Sequence, residues 1–238
     1  ASDEEWGGTV SLSQAETDDY SLSVVGAGVT WRNRVELTFA RQTLDLDSLV
    51  FTLSNDFGLE QEELVQDVAG LKVRLAGDVL YSPWGQWSAG LQYKQNRDYT
   101  VPDAIGSEDD SGTDFYVGGS KLFFAAIAGR NLLVNGTLRA SKANQGGLLG
   151  FGGDLNDSYE TMAEGSISLF LTRQWLIGAE YRQKPDNLSF ASEDDWYDVF
   201  VAWVPERRLS VTAAWVNLGD IATLEDQTGA YLSLQASF

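Results

Sequence analysis

The chain has no cysteine and no histidine among its 238 residues. Lack of cysteine removes disulfides, thiol nucleophiles and thiolate metal ligands. Lack of histidine removes Ser-His and Cys-His triads, imidazole acid/base chemistry and most zinc sites. No apolar run approaches the roughly 18 residues that a helical membrane span requires. Positive charge is sparse: 16 Lys and Arg stand against 35 Asp and Glu. The resulting net charge of −19 argues against a nucleic-acid partner, because phosphate backbones select basic surfaces. Proline occurs only 4 times, whereas glycine occurs 24 times, with 8 Trp, 9 Tyr and 11 Phe. That balance suits many strands joined by tight turns.

Period-two alternation predicts twelve strands, at about 6–14, 20–31, 34–44, 68–80, 86–97, 113–124, 131–142, 159–171, 174–185, 195–204, 208–217 and 229–238. Their connections are expected to alternate strictly between short and long. Short turns fall at Arg32-Asn33, Ser82 to Gly85, Ile127 to Arg130, Thr172-Arg173 and Pro205 to Arg207; long loops fall at about 15–19, 45–67, 98–112, 143–158, 186–194 and 218–228. Each strand is long enough for a tilted membrane crossing of about 9–11 residues. No linker or composition break divides the chain, so residues 1–238 are read as one domain. Ala1 to Glu5 reads as a mature end left after removal of a signal peptide.

The faces of these strands differ in kind. Trp87, Ala89, Leu91 and Tyr93 alternate with Ser88, Gly90, Gln92 and Lys94; Trp175, Ile177, Ala179 and Tyr181 alternate with Gly178, Glu180 and Arg182. Tyr197, Val199, Val201 and Trp203 share another apolar face, with aromatics near both ends, as in an interfacial girdle. In a soluble β-sandwich the apolar faces would pack together, but twelve strands with paired aromatics and charged opposite faces do not suit one. The last strand places Phe238, Ala236, Leu234, Leu232 and Ala230 on one face and Ser237, Gln235 and Ser233 on the other. This end resembles the closing strand of Gram-negative outer-membrane β-barrels, which very often finish in phenylalanine, and the resemblance gives Phe238 a membrane-targeting role. The expected fold is therefore an all-β, antiparallel, up-and-down transmembrane barrel of about twelve strands. Strands two and six alternate poorly, and a bulge near Gly26-Ala27-Gly28 or near Ser120-Lys121 would account for this.

The polar faces carry Arg34, Lys72, Arg74, Lys94, Arg139, Arg182 and Lys184 against Glu36, Asp78, Glu160, Glu164, Glu180 and Asp198, a lumen of nearly balanced sign. The negative excess lies in the long loops, at Glu16-Asp18-Asp19, Glu60-Glu62-Glu63, Glu108-Asp109-Asp110 and Glu193-Asp194-Asp195. Short turns carry Arg32, Arg130, Arg173, Arg207 and Arg208 instead. A hairpin centred on Arg173 sets Glu164 opposite Arg182 and Ser166 opposite Glu180, a favourable charge pairing. A turn centred on Trp84 sets Arg74 opposite Lys94, with Lys72 nearby. The charges then either form a basic wall facing an acidic one or pair off and plug the interior.

Three loop features invite function. The 45–67 segment is unusually apolar, with Leu46, Leu49, Val50, Phe51, Leu53 and Phe57. It is expected to extend strands three and four above the membrane; the other reading folds it inward as a constriction. The glycine-rich stretch from Gly146 to Gly153 has no following GK[ST] and no βαβ context, so a loop dipping into the barrel mouth or touching lipid is expected rather than a nucleotide site. Asp109 and Asp110, with Glu108 and Asp114, offer oxygen ligands for calcium, although without EF-hand spacing a solvated acidic loop is the default.

Short stretches along most of the chain resemble an uncharacterised family of proteobacterial outer-membrane proteins. They are Asp19-Tyr20-Ser21-Leu22, Asn33-Arg34-Val35-Glu36-Leu37 with Ala40-Arg41-Gln42, Gly70-Leu71-Lys72-Val73-Arg74 with Gly77-Asp78, Gln92-Tyr93-Lys94, and Ala143-Asn144-Gln145 with Gly150-Phe151-Gly152-Gly153. The resemblance implies an outer-membrane location and carries no activity. Other twelve-stranded barrels include solute channels, autotransporter translocators and a phospholipase, whose required histidine is missing here. The expected function is a monomeric, non-enzymatic channel without cofactor for passive diffusion of small solutes. Arg34, Glu36, Lys72, Arg74, Asp78, Lys94, Arg139, Glu164, Glu180, Arg182 and Asp198 would line it, and lipid and lipopolysaccharide, bridged by divalent cations, would be its surroundings. The alternative is a plugged barrel with a structural or adhesive role through its acidic loops.

Overall fold

A computed structural model describes residues 5–46, 49–190, 193–221, 224 and 226–238. Alternation drives twelve strands: β1 (Trp6–Thr17), β2 (Ser21–Trp31), β3 (Val35–Asp45), β4 (Glu63–Gly77), β5 (Gln86–Asn96), β6 (Ser111–Ile127), β7 (Arg130–Ser141), β8 (Glu160–Phe170), β9 (Trp175–Arg182), β10 (Trp196–Glu206), β11 (Leu209–Asn217) and β12 (Thr228–Ser237). Each pairs antiparallel with its sequence neighbours, and β1 pairs with β12 from Thr9↔Ser237 to Thr17↔Gly229, closing the barrel. Closure removes the unpaired sheet edges that would otherwise be left in lipid. The backbones of Gly8 and Phe238 exchange hydrogen bonds of 2.7 and 2.9 Å at the seam.

Side chains sort by strand parity as expected. Leu12, Val25, Leu37, Phe39, Trp87, Phe115, Val117, Leu138, Ile167, Ile177, Val199, Trp215, Leu232 and Leu234 are all exposed on the outside. An apolar surface of that extent on a closed barrel needs a lipid covering. Near the short-turn end the outer aromatics pack in pairs, Trp6 with Trp31 at 6.4 Å and Trp175 with Trp203 at 5.9 Å between ring centres.

The connections depart from strict alternation. β1 runs on to Thr17, so 18–20 is a tight turn where a long loop is expected, and 78–85 is the longest connection at the short-turn end. β2 keeps unbroken register with both neighbours, so no bulge lies at Gly26-Ala27-Gly28; its weak alternation reflects small residues on both faces. In β6 the register shifts between Phe123 and Ile127, beyond Ser120-Lys121, with Ala125 at φ 51°. Lys121 points outward, and its Nζ donates to the turn carbonyls of Leu80 and Ser82 at 3.2 and 2.6 Å.

The main hydrophobic core lies within the long-loop mouth of the barrel, where loop side chains pack on the inner face of the strand ends. Tyr20, Leu44, Leu46, Leu53, Leu64, Val101, Ile105, Leu148, Leu149, Leu188 and Ile221 bury one another there. The chain after β3 first continues the strand pairing and then turns into a helix. Pairing continues up to Asp45↔Glu63, and helix α1 (Leu49–Phe57) then turns Leu53 into this core. The side chains of Leu49 and Phe51, like residues 1–4, lie outside the described residues.

Candidate functional site

The lumen is crossed by an ion-paired belt on five neighbouring strands. Lys94 on β5 reaches Asp114 on β6 at 2.7 Å, and Arg139 on β7 reaches the same carboxylate at 3.3 Å. Arg139 also meets Glu164 on β8 at 2.5 Å, and Arg182 on β9 meets that carboxylate at 3.1 Å. Cation and anion alternate along the row, so each charge taken from water has an opposite neighbour. Gln92 accepts from Arg139 Nη1 at 2.7 Å, and the Tyr116 ring lies 5.1 Å beneath the guanidinium. Glu164 lies directly opposite Arg182 in register, and Ser166 opposite Glu180, as the turn at Arg173 predicts.

Other expected pairings fail. Arg74 lies opposite Ser88, and Lys94 opposite Val68, because a bulge between Arg74 and Ala76 and the 78–85 turn offset this hairpin. No basic Arg74–Lys94 contact forms. Asp78 belongs to that turn, where its Oδ1 accepts from the amides of Leu80 and Tyr81 at 2.8 and 3.1 Å. These bonds hold its carboxyl below the usual range. Arg34 is likewise an exposed turn residue, and Lys184 belongs to the loop after β9. Asp114 serves the belt rather than a calcium site, and Asp109 pairs with Lys142 at 2.8 Å. Among the described residues no group of three acids is placed to hold a metal.

Glu36 and Lys72 face each other in register on the inner wall, with Arg74 next on the same face and 3.5 Å from Gln86. Across the barrel, Glu180 and Asp198 are register partners on β9 and β10. They line a lumenal cavity of about 400 Å³ with Ser13, Asn135, Trp196 and Tyr231. Among the described residues neither carboxylate has an ion pair within 4 Å, and like charges set opposite one another are unfavourable unless water or a cation intervenes.

Above the belt, the chain after β7 closes the long-loop mouth. Lys94 Nζ donates to the Gly146 carbonyl at 2.7 Å, and Asn96 Nδ2 to that of Leu148 at 3.2 Å. Leu148 and Gln145 border Ala15, Leu22 and Leu44 on the far wall, so the segment spans the mouth. Leu148, Leu149 and Phe151 are buried, at about 1.5–3 kcal/mol each. Gly112 and Gly147 make room for the Phe151 ring: a Cβ on either would collide with ring carbons. Gln145 has φ 45°, strained for a side-chain-bearing residue, and is held there by three bonds, one of them accepted from Lys184 Nζ at 3.4 Å. Its amide donates to Glu193 Oε1 and its side chain to the Asp220 carbonyl, both at 2.8 Å. Glu193 Oε2 lies 3.4 Å from Lys184 Nζ in the same buried pocket. Burial pushes the Glu193 carboxyl up to about 7, with Lys184 pulling the other way.

Sequence reasoning missed three parts of this site. Asp114 was hidden because Gly118-Gly119 blurs the parity of β6. Gln145 and Glu193 sit in loops, and no periodicity reports where those pack.

The closed twelve-stranded wall, apolar outside and charged within, has the fold of a transmembrane β-barrel. The family model described as a protein of unknown function, DUF3034, matches residues 1–235, and the chain belongs to that family. No curated protein matches the chain. Among solved structures, the KdgM porin shares 10% identity, covering 97% of this chain and 99% of its own, with a TM-score of 0.59. The outer membrane protein Omp33 of Acinetobacter baumannii gives 10% identity, 98% and 99% coverage and a TM-score of 0.56. The NanC porin gives 9%, 97% and 98%, and 0.55. At such identities the likeness shows the fold.

Proposed function

We propose that the protein spans the outer membrane of a Gram-negative bacterium as a monomeric passive channel for small solutes, closed at its outer mouth by the lid that follows β7. The observation that carries this reading is the lumenal cavity of about 400 Å³ beneath the lid, lined by Glu180 and Asp198, which have no ion pair among the described residues. A barrel serving only as a wall would fill such space with paired or apolar side chains. Porins among the structural neighbours support the same reading. Solutes would pass between the acidic face at Glu180 and Asp198 and the Glu36–Lys72–Arg74 face, which favours small polar or zwitterionic molecules over large anions. The acidic loops would attract cations and bridge through divalents to lipopolysaccharide.

A second reading, the plugged barrel with an architectural or adhesive role, draws on the lid itself, whose leucines are as buried as those of a protein core. Liposome swelling separates the two. Proteoliposomes holding the refolded protein should swell in isosmotic small sugars or amino acids, faster when lid residues 146–150 are replaced by a short Ser/Gly linker. No swelling with either protein would favour the plugged barrel.

A further inference from the structure

The outer wall has two unlike halves near its long-loop end. On β5, β6, β9, β10 and β11 that position is aromatic, with Tyr93, Phe115, Tyr181, Tyr197 and Trp215 all exposed. On β1 to β4 the same end presents Gln14, Ser23, Arg41 and Asp67 instead. Arg41 Nε and Nη2 meet the two oxygens of Asp67 at 2.7 and 3.0 Å, and Arg97 Nε reaches the same carboxylate at 2.7 Å. Two guanidiniums share one carboxylate, so these three side chains together carry a positive charge on a protein of net charge −19, and the next acids on this face, Asp45 and Glu63, stand two steps nearer the loops. Both arginine side chains are 54% exposed, and the carboxylate between them is 8% exposed. Glu16, the nearest acid on β1, is tied to Gln14 and Ser21 at 2.8 and 3.1 Å.

Below Arg41 an apolar groove of about 780 Å³ opens on the outer wall. Its floor is shallow because Ala27 and Ala236 fall in the row Phe39–Ala27–Val10–Ala236, while Leu12, Val25 and Leu234 flank them. Ser23, Thr43 and Arg41 form its polar end. A trough of small residues in an apolar wall, ending in a half-exposed guanidinium with donors beside it, has the shape and charge of a lipid with an anionic headgroup. Arg is the side chain best suited to a phosphate, and an interfacial cation is attracted to anionic lipid.

We propose that this groove is a specific site for a phosphate-bearing membrane lipid, with one acyl chain over Ala27 and Val25 and the phosphate on Arg41 and Arg97. The proposal rests on the barrel being embedded in lipid but not on its lumen conducting. Its test therefore reads lipid rather than current. The refolded barrel, in detergent micelles, would be titrated with dioleoylphosphatidylglycerol or dioleoylphosphatidylcholine and its adducts followed by native mass spectrometry. The wild type should retain phosphatidylglycerol over phosphatidylcholine. The double variant R41Q/R97Q should lose retention by about tenfold. A27F fills the trough on the lipid face, keeps both arginines, and should also weaken retention. A heat-dependent gel shift identifies folded barrel in each preparation. Equal retention of the two lipids, or an R41Q/R97Q adduct as strong as wild type, overturns the proposal. If R41Q/R97Q does not fold, an undiminished phosphatidylglycerol adduct in A27F overturns it alone.

Discussion

Asp114 lies under two cations, and its side chain is almost wholly withdrawn from solvent. Removing it leaves Lys94 and Arg139 facing each other across a low-dielectric wall. Breaking a buried pair in this way costs about 3–5 kcal/mol. D114A should therefore lower the urea midpoint of the refolded barrel, read by tryptophan fluorescence, while D198N should change it little. Among the described residues Glu180 and Asp198 have no such partner, and they face the cavity, so in the proposed channel their effect falls on conduction. E180Q/D198N should move the reversal potential in a salt gradient toward anion preference, and an unmoved potential would take them off the solute path. Arg74→Ala should move it toward cations. Lys94→Ala should instead disturb the lid, because Lys94 is bound to Asp114 and to the Gly146 carbonyl.

In the proposed channel, opening turns on the lid. Phe151 is fully buried within it, and truncating such a ring costs about 3–5 kcal/mol. That cost falls on the closed lid, not on the strand ladder. F151A should keep its β circular dichroism and heat-dependent gel shift but expose the 142–159 segment to proteolysis; unchanged protection would show that the segment is held by other contacts. The lid also has a pH dependence with a definite sign. Glu193 favours its neutral form in the closed state, with a carboxyl raised from 4.5 to about 7. Its contribution to closure is complete below the ordinary value and is lost as pH rises through about 7. Proteolysis of the lid should be faster at about pH 8 than at about pH 5.5, and E193Q should flatten the difference. The strands, their faces and the Glu164–Arg182 register were legible because side-chain period and turn position decide them locally. The Arg74 register was not, since a bulge shifts it without a sequence mark. Nor was the lid: Leu148 meets Leu44 only after the barrel has closed and brought β3 across from β7.

At the scale of the whole molecule the apolar side chains point both ways: those of the wall face outward and those of the loops pack inward. The outward set, from Trp6 round to Leu234, makes the barrel dependent on detergent or lipid, and a soluble monomer without either would contradict the membrane assignment. The inward set closes one mouth over a lumen that still holds a cavity. Together they are what the proposed channel, shut at rest by its own loop, requires. Single-channel recording of the wild type and F151A in planar bilayers tests that claim most directly. The account predicts rare, discrete openings in the wild type and the same unit conductance with much higher open probability in F151A. Silence from both folded proteins would contradict it, and so would a wild type that stands permanently open.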